Sequence, residues 1–262
     1  MPGLLEPGGR FHDPVQSAYI DSVFESIRQL TGLVDGKIAE NQQKIDRAAI
    51  TQAIKRLVKN QGANDVGIAQ LNPMYVYSNV GRGPETWGAP INNNHRFAIV
   101  FTLEMRYDYV DQAPRLPITE ESALQYLNGA SISISVAEFI RQLGYSARAH
   151  IAGSNYQIML PPVAYDAGLG ELGRLGYLIS PRLGSRIRLG AVTTDLPLMP
   201  DKPINFGVQD FCAKCLKCAA NCPSGAITKG SKIDVRGVEK WPLDIENASV
   251  TGDQSEPIAD CA

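Results

Sequence analysis

The sequence lacks the features that would place it in a membrane or on nucleic acid. It has no run of about 18 apolar residues, the length that a bilayer-spanning helix needs. Its 25 Lys and Arg nearly balance its 27 Asp and Glu, for a net charge of -2, so no basic surplus is available to bind phosphates. The first ten residues contain neither a twin-arginine pair nor an apolar signal core. The chain as printed is therefore expected to be cytoplasmic and to bind no nucleic acid.

Cysteine is also scarce, with five residues in 262, but four of the five stand close together. They are Cys212, Cys215, Cys218 and Cys222, and Pro223 follows them at once. Such crowding argues against a disulfide framework, because bridged cysteines need a fixed geometry that near neighbours rarely meet. The spacing is that of the bacterial ferredoxin motif for a [4Fe–4S] cluster. Zinc is the alternative, but zinc sites usually pair two Cys-x2-Cys knuckles that stand about a dozen or more residues apart.

The fifth cysteine, Cys261, raises the question of a second cluster. In two-cluster ferredoxins the fourth cysteine of such a motif, here Cys222, ligates the other cluster, so that two clusters share eight thiolates. The simplest interpretation is a sequence truncated within its second cluster motif. The alternative is a single cluster that Cys222 completes, with Cys261 as a spare thiol.

Apolar periodicity predicts a mixture of helices and strands, and hence an α/β (α+β) fold. Strands are predicted at 66–71, 97–103, 145–151 and 187–194, and helices at 16–30, 46–62, 119–143 and 161–168. Thr119 is the predicted cap of the longest helix. Three regions follow: an N-terminal arm and helix at 1–45, a layered α/β domain at 46–206, and a ferredoxin-like domain, incomplete at its C-terminus, at 207–262.

One glycine pattern imitates a dinucleotide-binding fingerprint. Gly168, Gly170 and Gly173 have the spacing G-x-G-x-x-G, which requires a strand before it and a helix after it. Gly176 and Pro181 follow too closely to leave room for that helix. We therefore expect no nicotinamide site here.

Two longer stretches resemble the cobalamin-dependent reductive dehalogenases. One reads AGLGELGRLGYLISPRLGSRIRLGAVTTDLPLM from Ala167 to Met199 and continues through DKPINFG, from Asp201, into the cysteine motif. The other reads YSNVGRGPETWGAPIN over 77–92. The resemblance covers roughly residues 60–262. Epoxyqueuosine reductases share its second half and match the SNVGRG loop less well.

The resemblance implies a nitroreductase-like domain that binds a corrinoid, cobalamin, followed by a domain with two [4Fe–4S] clusters. It further implies an organohalide substrate and a reduced electron donor, which in this family is a ferredoxin, a flavodoxin or a membrane-bound protein. A membrane-anchor partner and a homodimer belong to the same expectation. Exported members carry a twin-arginine leader, so a membrane-associated periplasmic protein is expected if a leader is missing here.

The resemblance also implies roles for individual residues. Ser122 and Tyr126 have the spacing found around the family's proton-donating tyrosine, so Tyr126 is the expected acid. Arg188 is its expected partner, with Arg186 as the second choice, and Asn155 is expected to line the same pocket. The expected cofactor contacts are Ser122, Tyr156, Gly168, Gly170, Gly173, Thr193 and Thr194, and the expected metal ligands are Cys212, Cys215, Cys218, Cys222 and Cys261.

Elementary electrostatics is compatible with the pairing of a tyrosine with an arginine. A free tyrosine has a pKa of about 10, and one arginine about 4 Å away at an effective dielectric constant near 20 could lower it by two or three units. The alternative is a core residue, because Leu124 and Leu127 give Tyr126 apolar neighbours on its helix. Geometry has to decide between the two.

The predicted function is reductive dehalogenation by a cob(I)alamin enzyme that iron–sulfur clusters supply with electrons. An epoxyqueuosine reductase-like enzyme is one alternative, although the near-neutral charge offers no surplus for binding transfer RNA. An inactive or electron-carrying fragment is the other. Bound corrinoid separates the enzyme from the carrier, because a carrier would show cluster absorption without corrin bands.

Overall fold

The structure, a computed structural model, describes residues 5–81, 83, 85–153, 156–235 and 237–247. Its helices are α1 (Pro14–Gln29), α2 (Arg47–Asn60), α3 (Tyr107–Val110), α4 (Leu116–Gln142), α5 (Leu160–Asp166), α6 (Val208–Cys215) and α7 (Lys217–Asn221). Its strands are β1 (Asp65–Gln70), β2 (Phe97–Glu104), β3 (Ala147–His150), β4 (Glu171–Leu172), β5 (Leu178–Ile179), β6 (Ile187–Thr194), β7 (Ile233–Val235) and β8 (Val238–Lys240). Short 3-10 helices lie at Leu30–Leu33 and Pro73–Tyr75.

A four-stranded sheet with the order β1-β2-β6-β3 forms the centre of the fold. Every neighbouring pair is antiparallel, and Phe97 of β2 lies opposite Gln70 on one side and Thr194 on the other. All eight residues of β6 are buried, so both faces of the sheet are covered. The mixed helix and strand content confirms the predicted fold class.

The two faces of the sheet carry separate apolar clusters, because side chains alternate along a strand. Ile99 and Phe101 of β2 pack with α1, α2 and α4 on one face. Ala98 and Val100 face the opposite way, towards α5 and the residues near β5. The result is a layered domain in which α4 and β6 lie in direct contact.

Both ends of α2 lie close to the predicted bounds of 46–62. The Asp46 carboxylate accepts a hydrogen bond of 2.7 Å from the Ala49 amide, and Gly62, with φ of +105°, follows the last turn of α2. The predicted start of α4 at Thr119 is wrong, because the helix begins at Leu116 with Pro117 in its first turn. Proline is well accommodated there, since its missing N–H has no partner within the helix.

The cysteine segment follows the sheet domain as two short helices and a hairpin. α6 and α7 meet at Leu216, whose φ of 52° reverses the chain between them, and β7 pairs with β8. The boundary predicted at residue 206 stays a prediction. No helix in the described part of the chain is both long and apolar enough to cross a bilayer.

Candidate functional site

Three of the predicted residues come together between α4 and β6. Arg188 of β6 is only 5% exposed, and its Nη2 donates a hydrogen bond of 2.6 Å to Ser122 Oγ on α4. The guanidinium carbon of Arg188 lies 5.3 Å from the centre of the Tyr126 ring, one turn further along α4. Tyr126 itself is half-buried. The structure therefore brings Ser122, Tyr126 and Arg188 together, and their roles stay predictions.

The charge of Arg188 has no counter-ion among the residues that the structure describes. Arg188 takes part in no ion pair there, and its buried Nε has no hydrogen-bond partner. A buried charge without a partner is costly, typically by several kcal/mol. The site is therefore suited to a ligand or product that carries negative charge.

Tyr177 is a further member of this group that the sequence analysis missed. Its hydroxyl donates a hydrogen bond of 2.9 Å to the carbonyl oxygen of Ile187. Burial raises the pKa of Tyr177, while the charge of Arg188 and a hydrogen bond with it act in the opposite direction. Tyr177 stands within the stretch of family resemblance, but no spacing signal distinguishes it there.

Of two other predicted site residues, Arg186 has partners at the end of β2 and Asn155 is not described by the structure. Arg186 points to the end of β2, where its Nη2 donates a hydrogen bond of 3.0 Å to Glu104 Oε1 and its Nη1 donates to the carbonyl oxygen of Met105. Its charge is therefore already paired. Asn155 lies outside the described residues, while Tyr156, next to it, is half-buried.

The two predicted threonines lie at the other end of β6 and have structural partners. Thr194 donates a hydrogen bond of 2.6 Å to the carbonyl oxygen of Ser146. The hydroxyl of Thr193 lies 2.9 Å from His95 Nδ1 and 3.0 Å from His150 Nε2. Burial lowers the pKa of both histidines, and that of His150 falls to about 3. Both rings are therefore neutral at pH 7.

The hydrogen bonds around Thr193 assign the tautomers of both rings. The Gln157 amide donates to His150 Nδ1 over 3.4 Å, so the ring proton sits on Nε2 and is donated to Thr193. Thr193 then donates to His95 Nδ1, and His95 Nε2 donates to Ser146 Oγ over 2.8 Å. This chain ties β3, β6 and the segment before β2 together.

The three predicted cofactor-binding glycines pack against the protein's own chain. A Cβ on Gly168 would lie 2.5 Å from the Lys202 carbonyl oxygen, and one on Gly170 would lie 2.2 Å from the Ile179 carbonyl oxygen. A Cβ on Gly173 would lie 3.1 Å from the side chain of Ile179. Gly170 and Gly173 allow the β4–β5 hairpin to fold closely, and Gly168 allows the chain to approach the Lys202 backbone. The contact of these glycines with a cofactor stays a prediction.

The four clustered cysteines lie on one continuous segment. Cys212 and Cys215 belong to α6, Cys218 to α7, and Cys222 follows α7; all four are free thiols of intermediate exposure. Cys261 lies outside the described residues. Within the described ranges, no three His, Cys, Asp or Glu side chains converge closely enough to hold a metal ion.

The chemistry of this donor set fits an iron–sulfur cluster. Burial acts to raise the pKa of Cys222, but hydrogen bonds from the Ser224 hydroxyl and from the amides of Ile227, Ser224 and Ala226 outweigh it and lower the pKa. The Cys222 sulfur lies 3.3 Å from Ser224 Oγ. Thiolates that receive amide hydrogen bonds are typical cluster ligands.

Comparison with known proteins finds reductive dehalogenases that match most of this chain. No protein-family model matches it. The tetrachloroethene reductive dehalogenase of Sulfurospirillum multivorans is 32% identical over 214 residues, a match that covers 71% of this chain and 42% of that protein. A tetrachloroethene reductive dehalogenase of Desulfitobacterium hafniense is also 32% identical, over 84% of this chain and 46% of its own length. The chain therefore spans less than half the length of these relatives.

Solved structures agree with the sequence matches. NpRdhA, a catabolic reductive dehalogenase, superposes with a TM-score of 0.80 at 32% identity, over 92% of this chain and 35% of its own. Its structure has also been solved in complex with 3-bromo-4-hydroxybenzoic acid, and a related structure concerns B12-dependent dehalogenation. The epoxyqueuosine reductase of Aliivibrio fischeri is 35% identical but over only 44% of this chain. With 32% identity and a shared fold over nine-tenths of its residues, the chain belongs to the reductive dehalogenases.

Proposed function

We propose that this chain takes part in reductive dehalogenation, in which an organohalide, two electrons and one proton yield the dehalogenated carbon compound and a halide ion. The observation that carries the proposal is the buried guanidinium of Arg188, which has no counter-ion in the described part of the chain and lies over the Tyr126 ring. A B12 cofactor, when bound, would pass low-potential electrons from the iron–sulfur site to the organohalide, and Ser122 and Tyr156 are among the residues expected to hold it.

The residues between α4 and β6 provide two further things that the reaction needs, a proton donor and a positive charge for the departing halide. The new carbon–hydrogen bond needs a proton, and the Tyr126 hydroxyl is the acid in this group. The departing halide is an anion, and Arg188 offers a positive charge in a low-dielectric site, where charge is most effective. Ser122 holds the guanidinium in place through its 2.6 Å hydrogen bond.

Electron supply is assigned to the cysteine segment. An iron–sulfur cluster would be bound by Cys212, Cys215, Cys218 and Cys222. Their thiols are free, and hydrogen bonds lower the pKa of Cys222. A reduced ferredoxin, a flavodoxin or a membrane-bound protein would deliver the electrons. A membrane anchor and a homodimer belong to the same proposal as partners.

The substrate class follows from the charge of the site and from the structural relative. NpRdhA binds 3-bromo-4-hydroxybenzoic acid, an aryl halide that carries an anionic carboxylate at neutral pH. Such a molecule offers both a halogen to be lost and a negative charge that Arg188 can bind. A halogenated aromatic acid is therefore the substrate class to test first.

The test is halide release by the purified chain after reconstitution with iron, sulfide and cobalamin. Reduced methyl viologen supplies the electrons, and 3-bromo-4-hydroxybenzoate is the substrate. We expect Tyr126→Phe to retain corrinoid but to lose at least tenfold in turnover, because it removes only the hydroxyl group that donates the proton. Arg188→Met should lose at least as much, because removing an interaction with a charged transition state costs several kcal/mol.

The matched control is Arg56→Met, which makes the same change at an exposed position of α2 and should keep the activity of the unmodified chain. Equal halide release by the Arg188 and Arg56 variants would reject the assignment of Arg188. Cluster absorption without corrin bands in the reconstituted chain would favour an electron carrier. Reduction of epoxyqueuosine in transfer RNA, with no halide release, would favour the other family.

A further inference from the structure

Arg174 joins the sheet domain to the cysteine segment. It follows β4 and is only 3% exposed. Its Nε donates a hydrogen bond of 3.0 Å to the carbonyl oxygen of Cys212. Its Nη1 donates to the carbonyl oxygens of Thr228 and Gly230 at 3.0 and 2.9 Å. One guanidinium thus holds the backbone of the first cysteine and the chain that leads to the β7–β8 hairpin.

The charge of Arg174 is not balanced by its partners. Three carbonyl oxygens and the ring of Trp241, whose centre lies 4.6 Å from the guanidinium carbon, are all neutral groups. In the described ranges no carboxylate pairs with Arg174, although a buried cation is costly unless negative charge lies near it. The cysteine thiols are the groups next to it that become negative when they bind a metal.

Lys232 provides a useful contrast on the same ring. Its Nζ lies 4.9 Å from the centre of Trp241, but it also pairs with Glu239 over 3.4 Å. Its charge is therefore already compensated. Of these two cations at Trp241, only Arg174 has an uncompensated charge that can act on the thiols.

The positive charge of Arg174 lies directly beside the cysteine segment, because its Nε is hydrogen-bonded to the carbonyl oxygen of Cys212. Any negative charge added at the cysteine sulfurs is stabilised by this buried cation, because the attraction depends only on charge, distance and dielectric.

We propose that Arg174 is the positioning residue of the iron–sulfur site, fixing the backbone of Cys212 and raising the reduction potential of the cluster that these cysteines hold. The inference rests on the function proposed above, since it needs a cluster at this segment. Reduction adds one electron to the cluster, so a buried positive charge nearby stabilises the reduced form more than the oxidised form. The cluster thereby accepts electrons from a donor of higher potential.

Three variants test this inference in the reconstituted chain. Arg174→Gln removes the charge, Arg174→Lys keeps the charge but loses the fork of donors, and Lys232→Gln is the control. The cluster potential is measured by redox titration with electron paramagnetic resonance, and hydrogen exchange of the α6 amides is measured alongside. We expect Arg174→Gln to lower the reduced-to-oxidised ratio at a fixed potential about tenfold, which corresponds to about 59 mV for a one-electron couple.

The other two variants separate charge from positioning. Arg174→Lys should keep a potential near that of the unmodified chain while its α6 amides exchange faster, and Lys232→Gln should change neither quantity. An iron-loaded Arg174→Gln variant with an unchanged potential would overturn the inference and leave the proposed function standing.

If Arg174→Gln loses the cluster, it has no cluster potential to measure. Arg174→Lys then tests the inference. An unchanged potential with faster α6 exchange then supports the inference, and unchanged exchange overturns it. An unmodified chain that binds no iron would instead refute the proposed iron–sulfur site, which is a distinct result. The positioning role is then judged by α6 exchange alone, and equal exchange in the unmodified chain and Arg174→Gln overturns it.

Discussion

Buried arginines in this chain differ in how their charge is compensated, and this difference separates structural residues from candidate functional ones. Arg141, 2% exposed, pairs with Glu138 over 2.9 Å and also donates to backbone carbonyls. Arg188 and Arg174 are about as buried, but neither has a carboxylate partner in the part of the chain that the structure describes. Burial without a counter-ion is costly unless a bound group supplies the negative charge.

The buried histidine pair gives a stability prediction at the same scale. His150 is neutral in the folded chain with a pKa of about 3, whereas a histidine in the unfolded chain has a pKa of about 6.5. Below about pH 6.5 the unfolded state binds a proton that the folded state does not, so stability falls as the pH falls. The contribution lost between pH 7 and pH 5 is about 2 kcal/mol, and the lowered pKa of His95 acts in the same direction.

Urea unfolding at pH 7 and pH 5 measures this contribution. His150→Gln should lose about 2 kcal/mol less than the unmodified chain between the two pH values, because glutamine takes up no proton. His12→Gln is the control, since His12 is only half-buried, and it should keep the pH dependence of the unmodified chain. The same pH dependence in all three proteins would contradict the assignment of His150 as a neutral buried ring.

At the scale of elements, the β4–β5 hairpin depends on a close approach of two backbones. An added Cβ at Gly170 would lie 2.2 Å from the Ile179 carbonyl oxygen, too near for a side chain to relieve by rotating. Gly170→Ala should therefore lower the free energy of unfolding by about 1–3 kcal/mol. Gly32→Ala, where nothing lies within 4 Å of the added atom, is the matched control and should stay near neutral in urea unfolding.

This variant also distinguishes the structural role of the glycine from the role that the resemblance implied. If Gly170→Ala unfolds at the same urea concentration as Gly32→Ala, the close-packing account is wrong. If it then also fails to bind corrinoid, the predicted cofactor contact of Gly170 is favoured instead.

The sequence predicted the longer elements well and the shorter ones poorly. β6 lies where its apolar run predicted, and α2 lies within its predicted bounds of 46–62, because both signals are local. α4 begins earlier than predicted because Pro117 starts its first turn. β4 and β5 have two residues each, too few for any periodic pattern.

At the scale of the whole molecule, the site between α4 and β6 is non-local. Ser122 and Arg188 are 66 residues apart in sequence and meet only because α4 packs across β6. Residue patterns alone could not establish this contact, and only the resemblance indicated that the residues of the site lie together. Nothing in the sequence singled out Tyr177, which is held at the site by its hydrogen bond to the Ile187 carbonyl oxygen. The cysteine motif was visible in the sequence because its ligands are neighbours along the chain.

The central claim is that one chain carries both iron–sulfur and corrinoid chemistry. The most direct test is the content of cobalt, iron, sulfide and zinc in the purified and reconstituted chain, with Cys215→Ala as its partner. We predict about four irons and four sulfides per cluster with little zinc, corrin absorption bands with about one cobalt per chain, and loss of iron in the cysteine variant. Zinc in place of iron, the absence of cobalt, or full iron content in Cys215→Ala would contradict the account.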